Sequence, residues 1–269
     1  MYVTIDNYTC FYKDEGAGDP ILFIHGNPDS ANYWDGVVAQ LSKDYRCICP
    51  DLPGFGRSEL PEDFQFSLEY GHRWIQSFLE KINLQVPVHL VVHDIGGFYG
   101  LPWAIKYPDQ VRSICVHNSI FFSSFKWHLW GRIWRTKGLG EMTKYLNSKW
   151  LYKWNLRKTS PKLTDAYLDE GYELSLANDK TLTTVLNVYR AMDPEVFKGW
   201  EDEYCTLTQE KPIIVIWADN DPYIPPKMRF AERFANGHPI YRIPKAGHWA
   251  AAEHPEVFAR YWREGLKSS

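Results

Sequence analysis

The stretch Val91-Val92-His93-Asp94-Ile95-Gly96-Gly97 ends an apolar run on a carboxylate and then supplies two glycines. The run 88–94 reads as a buried strand ending at His93, and a helix is predicted from about Gly96, so Asp94 sits on a tight strand-to-helix elbow. Gly96 and Gly97 let that helix pack close to the strand. Two roles suit an aspartate here. It is a nucleophile raised on the turn, where a serine commonly stands, or it is an ordinary helix N-cap. The motif alone leaves both open, because Val92 occupies the place of the elbow's first glycine.

Outward from the elbow, short apolar runs alternate with helical patterns. Residues 20–26 (PILFIHG), 45–51 (YRCICPD), 88–94 (VHLVVHD), 112–118 (RSICVHN) and 212–218 (PIIVIWA) read as buried strands. Trp74, Ile75, Phe78, Leu79 and Ile82 keep one face of an intervening helix. Strand and helix in turn predict an α/β fold, a mostly parallel sheet covered by helices on both faces. The first dozen residues, followed by the turn DEGAGDP, read as its antiparallel start. From 119 to 205 strand runs give way to helical pattern. This predicts a helical cap over the carboxyl edge of the sheet, where such folds bind ligands, on a core of 1–118 and 206–269.

Four further segments fall in register with the elbow. His25-Gly26-Asn27-Pro28 follows the first core strand, and its backbone N–H groups, that of Asn27 first, can join the N–H of Ile95 in an oxyanion hole. The Gly/Pro-rich loop 51–58 (DLPGFGRS) follows the next strand. Asp219-Asn220-Asp221-Pro222 follows the run 212–218, and Ala246-Gly247-His248-Trp249 lies near the C-terminus. A lone carboxylate or histidine is more often structural, but Asp94, then an acid, then His248 is the order of a catalytic triad on this fold.

In these segments the chain resembles the α/β-hydrolase fold family, and within it the aspartate-nucleophile branch of epoxide hydrolases, haloalkane dehalogenases and fluoroacetate dehalogenases. The resemblance runs through the whole of 1–269 and is strongest in the core. It implies an inserted helical cap, Asp94 as nucleophile, His248 as base and Asp221 as the acid that orients it, with Asp219 of the same loop as the alternative acid. A carboxylate attacking an sp³ carbon gives an alkyl ester that water can hydrolyse, whereas the ether a serine would form resists hydrolysis. The resemblance implies no cofactor and no metal, only a small apolar electrophile and water.

The branches differ in what stabilises the leaving atom. In the epoxide-opening branch cap tyrosines, or a histidine with a tyrosine, protonate the alkoxide. LNVYRAM (186–192) resembles the segment that carries one donor and nominates Tyr189, while KWHLWGRIW (126–134) places His128 at the other. The plainer alternatives are a tyrosine packed beneath the cap and a histidine on a basic surface. Dehalogenases hold halide between a Trp following the nucleophile and a second donor; Asn27 fits the second place, but Ile95 fills the first and donates nothing. The arginine that follows the nucleophile in fluoroacetate dehalogenases is absent for the same reason. Epoxide hydrolysis to a diol is therefore the leading expectation and hydrolytic dehalogenation the second. A non-catalytic receptor on a hydrolase scaffold is the rival of another class, though pure binding has no use for a base–acid pair.

Composition narrows the setting. A formal charge of -3 disfavours a nucleic-acid binder, and hydrophobic and charged shares of 45% and 23% are ordinary for a soluble domain. Neither a leader-like N-terminus nor a membrane-length apolar run is present, so a cytoplasmic location is expected. Cys10, Cys47, Cys49, Cys115 and Cys205 lack zinc-type spacing and read as small buried apolar residues. Yet residues 126–162 hold ten Lys/Arg against Glu141 alone, with five of the 12 Trp. Trp127, Trp130 and Trp134 read as one helix face, either packing inward beneath solvated charges or meeting a membrane surface that delivers an apolar substrate. Oligomeric state is not legible.

Overall fold

The computed structural model describes residues 1–62 and 64–268; Asp63 and Ser269, both within the expected core, lie outside them. Eight strands of the described residues form one sheet: β1 (Tyr2–Ile5), β2 (Tyr8–Glu15), β3 (Asp19–Ile24), β4 (Tyr45–Pro50), β5 (Val88–Asp94), β6 (Val111–Ser119), β7 (Ile213–Ala218) and β8 (Ile240–Ile243). Their order is β1-β2-β4-β3-β5-β6-β7-β8. Antiparallel pairing is confined to β1 with β2 and β2 with β4, and every other pair is parallel. Strands β5 and β7 are buried along their whole length, as continuous apolar runs require of central parallel strands.

Helices cover both faces: α1 (Asp35–Leu41), α2 (Leu68–Lys81), α3 (Gly96–Lys106), α4 (Leu129–Arg135), α5 (Leu139–Met142), α6 (Lys149–Thr159), α7 (Asp165–Leu174), α8 (Asp179–Ala191), α9 (Trp200–Glu210), α10 (Phe230–Ala235), α11 (Ala250–Glu253) and α12 (Pro255–Ser268). Ser67 caps α2 by accepting from Tyr70 N, and the buried Trp74, Ile75, Phe78 and Leu79 turn its apolar face inward. One buried cluster takes Leu22, Leu90, Val92 and Phe98 on one side of the sheet, and a second takes Phe23, Val91, Trp34 and Trp262 on the other. The side chains of β3 and β5 thus alternate between two cores.

Several expectations change in detail. β2 runs to Glu15, into the segment read as a turn, because Lys13, Asp14 and Glu15 pair with Cys49, Ile48 and Cys47 of β4. β8 was not foreseen: Tyr241 and Arg242 are only partly buried, so this strand lacks an apolar run. Between β6 and β7 the chain is helical to Glu210, five residues past the expected limit, and its last helix, α9, packs on α3. Trp127 precedes α4, whose N-cap is His128, and does not share its helical face. Four cysteines are buried and free; Cys205 is free and half-buried on α9.

The elbow is built by close contact. Asp94 has φ 49°, a left-handed backbone rare for a residue with a side chain. A Cβ at Gly26 would come within 2.5 Å of Asp94 Cβ, and one at Gly96 within 2.5 Å of Ile24 O. The missing first glycine is also accounted for. Val92 Cγ1 fills the space beside Gly100 of α3, where an added Cβ would meet it at 2.5 Å. Gly100→Val is expected to lower stability by about 1–3 kcal/mol or more through overpacking. In urea denaturation the pair Gly100→Val/Val92→Ala should regain part of that loss; strictly additive effects would show that the two side chains do not share this space.

Candidate active site

Three loops at the carboxyl ends of the strands bring the predicted triad together. Asp94 ends β5, Asp221 follows β7, and His248 lies between β8 and α11; all three are buried. His248 Nδ1–H donates to Asp221 Oδ2 at 2.7 Å, and Nε2 lies 3.5 Å from Asp94 Oδ2. Asp221 is fixed from four sides, for Asn118 Nδ2 also donates to Oδ2 at 2.8 Å and the N–H groups of Tyr223 and Ile224 donate to Oδ1 at 2.8 and 3.0 Å. The structure does not bring the alternative acid to His248. Asp219 is partly exposed and pairs with Arg242 at 2.7 Å, turned to the β8 side of the loop.

The electrostatics follow from burial and charge. Burial alone would lower the pKa of His248, but Asp221 and then Asp94 outweigh it and raise the ring from 6.5 to about 10. Burial would raise Asp221, but the imidazolium and the two backbone donors hold it below the ordinary carboxylate value. The two flanking aspartates thus favour the protonated form of His248.

Asn27 N–H donates to Asp94 Oδ1 at 2.8 Å. No hydrogen bond joins Ile95 N to Asp94, and its N–H lies uncommitted at the first turn of α3. The side chain of Ile95 is buried in the core.

Above Asp94 lies a cavity whose wall includes Asn27, His128, Trp130, Trp134, Tyr189, Tyr223 and His248. Tyr189, on α8, is held by Trp127 and Trp134 with ring centroids 4.8 and 4.9 Å away. Its oxygen accepts from Asn27 Nδ2 at 3.4 Å, which leaves the phenolic proton free. Burial, and then the Asp94 carboxylate, raise its pKa well above the ordinary phenol value, so the proton stays on. His128 accepts from Gly131 N through Nδ1 at 3.1 Å, which puts the proton of the neutral ring on Nε2. Burial pushes its pKa down to about 4, against the pull of Asp94. Both side chains thus reach the cavity wall, each in a setting that favours its neutral form.

Three residues were not foreseen. Asn118, at the end of β6 with φ 34°, ties Asp221 to β7 by accepting from Ala218 N and donating to Ala218 O. Tyr223 lies edge-on to His248 at 5.2 Å and to His128 at 4.9 Å. Asp29, directly after the HGNP turn, accepts from Tyr167 Oη of α7 at 3.0 Å and from Trp249 Nε1 at 2.9 Å. Burial raises Asp29 to about 7 against those two donors. Its place after HGNP was the available signal. Among the described residues no group of three His, Cys, Asp or Glu is arranged to hold a metal ion.

The raised pKa of His248 makes stability depend on pH. A base whose pKa is higher folded than unfolded contributes stability that is complete below the unfolded value and lost as pH rises through the folded one. The loss here runs from about pH 6.5 to about pH 10. Thermal melts across that window should show a clear decline in the native protein and a much smaller one in His248→Gln; equal declines would place the titration elsewhere.

Comparison with known proteins agrees with this geometry at the level of the fold. The chain is similar to a cis-3-alkyl-4-alkyloxetan-2-one decarboxylase of Shewanella oneidensis, 33% identical over 110 residues, 40% of this chain and 35% of that protein. It is similar to a haloalkane dehalogenase of Agrobacterium fabrum, 37% identical over 107 residues, 40% of this chain and 34% of that protein. The chain thus matches about a third of the length of each of these curated relatives. The crystal structure of haloalkane dehalogenase DbeA from Bradyrhizobium elkani superposes over 100% of this chain and 98% of its own, with a TM-score of 0.84 at 21% identity. A family model of the alpha/beta hydrolase fold matches residues 19–255, and the chain belongs to that family.

Proposed function

We propose that this protein hydrolyses epoxides to diols through an ester on Asp94. The observation that carries the reading is the pair of neutral proton donors, Tyr189 and His128, on the wall of the cavity that holds Asp94. An epoxide oxygen leaves as an alkoxide and needs a proton in the transition state; a halide needs none. On this reading the helices of 119–205, which supply both donors, act as a cap over the sheet edge.

In the first step Asp94 Oδ2 attacks a ring carbon while Asn27 N–H holds Oδ1. The new C–O bond forms as the ring C–O bond breaks, and its electron pair takes the proton of Tyr189 or His128. Esterification removes the charge of Asp94, one of the two carboxylates that keep His248 protonated. The ring then gives up a proton, which balances the one the donor has lost. In the second step neutral His248, held by Asp221, takes a proton from water as that water adds to Asp94 Cγ. The oxyanion falls on Oδ1, which Asn27 N–H already meets. Collapse breaks the bond from Cγ to the ester oxygen as that oxygen takes the proton from His248 and leaves as the diol, and the new carboxyl of Asp94 then gives its remaining proton to His248, which restores the carboxylate beside a protonated ring.

A second reading is supported by Asn27. Its side-chain amide lines the cavity beside Tyr189, an N–H group suited to a halide. The relatives named for haloalkanes favour it. The relative named for an oxetan-2-one, like an epoxide a strained oxygen ring, favours the first.

Diol release from an epoxide panel and halide release from a haloalkane panel separate the two readings. His248→Gln should accumulate an adduct on the peptide carrying Asp94, visible by intact mass, because attack needs no base and ester hydrolysis does. An adduct elsewhere, or normal turnover, would sink the two-step scheme. In single turnover Tyr189→Phe should slow epoxide opening by roughly 10²–10⁴, less if His128 substitutes. A harmless Tyr189→Phe beside an Asn27→Ala that loses halide release would instead establish the dehalogenase.

A further inference from the structure

The basic, aromatic stretch 126–162 divides into an inner and an outer part. Trp130 and Trp134 line the cavity and Trp127 packs on Tyr189, so the first three indoles face inward. The outer part begins at Met142, the last residue of α5. Met142 is 61% exposed, Tyr145 79%, Leu146 59%, Trp150 72% and Trp154 50%. Trp150 and Trp154, one turn apart on α6, stack with centroids 6.3 Å apart at 14°, while Tyr152 and Leu156 on the other side of α6 are buried. Exposed indoles and aliphatics in such number mark a contact surface rather than a solvated face.

Charge identifies the occupant. Of the ten cations in 126–162, Lys149, Lys153 and Arg157 are neutralised by Asp165, Asp169 and Glu173 of α7, and Arg135 by Asp193. Lys126, Arg132, Lys137, Lys144, Lys158 and Lys162 pair with no carboxylate among the described residues. Two of these lie directly on the exposed rings: the Lys144 ammonium is 5.2 Å from the Tyr145 ring and that of Lys158 is 5.5 Å from the Trp154 ring. A second copy of the chain would bring this unneutralised positive face against itself in a two-fold contact. Met142 and Leu146 have no use on a phosphate backbone. Aromatics and aliphatics interleaved with free lysines suit an anionic bilayer, where rings sit at headgroup depth and ammonium groups meet the phosphates.

We propose that the face from Met142 to Lys158 docks on an anionic lipid surface. Leu146 is both exposed and part of the cavity wall, so docking sets the cavity mouth against the bilayer. An apolar substrate then enters from the lipid without crossing water. That last consequence rests on the reading of the cavity as a hydrolytic site; the docking does not.

Vesicle co-sedimentation of the full chain tests it, with phosphatidylcholine vesicles carrying either no anionic lipid or about 30% phosphatidylglycerol. Pelleting should be about tenfold stronger with the anionic vesicles and fall as salt is raised. Trp150→Ser/Trp154→Ser and Lys144→Glu/Lys158→Glu should each lower it about tenfold, with unchanged melting temperatures showing that both variants fold. Equal pelleting on neutral vesicles, or variants that bind as well as the parent, would overturn the proposal. So would tighter binding to a dT oligonucleotide, or a dimer in sedimentation velocity that the tryptophan pair abolishes. Because binding is read without turnover, its failure and a failure of the proposed chemistry are separate results.

Discussion

A carboxylate held in the left-handed backbone region at the end of a buried strand is the constraint around which the rest of the molecule is arranged. Asp94 keeps φ 49° because the chain on either side leaves no alternative: β5 is fully buried behind it, and α3 departs at once in front of it. The neighbours concede the space. Gly26 and Gly96 carry no Cβ where one would strike Asp94 or Ile24 O, and Ser119 Oγ ties down Asp94 O at 2.6 Å. With the side chain raised on this turn, one oxygen meets Asn27 N–H and the other faces His248.

What the elbow positions, the buried charges then hold. Two carboxylates and one imidazole in a dry interior are tolerable only if the ring carries a proton and every remaining oxygen has a donor. Asp221 meets that condition through Asn118 and two backbone N–H groups. The arrangement also stores its own trigger, since neutralising either carboxylate lowers the affinity of the ring for its proton. Asp29 extends the network outward: one carboxyl joins Tyr167 of α7 to Trp249, the residue after His248. The helices over the site are thereby tied to the backbone of its base.

Much of this was readable before any coordinates. Central parallel strands are largely buried on both faces, so β3 to β7 appear in sequence as short, mainly apolar runs, and Asp94 and Asp221 stand at or just past the ends of two of them. β8 escaped because it is partly exposed and carries Arg242. The choice between Asp221 and Asp219 was beyond sequence, for both share one loop and differ only in that one faces His248 and the other Arg242. Asn118 and Tyr223 were missed because each meets the site through partners on other elements, and no local pattern records that pairing; Asp29 left only its place after HGNP as a sign. The aromatic stretch 126–162 was legible as a composition but not as two surfaces, because which indoles turn inward depends on where the helices pack.

The packing of Val92 against Gly100 bears on how such an elbow can arise by descent. The two positions hold one methyl-sized volume between them, and either the strand or the helix can occupy it, but not both. A lineage moving from the common pattern, with glycine in the strand, to this one cannot place valine first without overfilling a close-packed interior. Glycine at 100 has to come first, at the lesser cost of a small void and a weaker helix turn. The order of the two substitutions is thus set by volume. The reverse path is gated in the same way: while Val92 remains, position 100 is closed to every side chain.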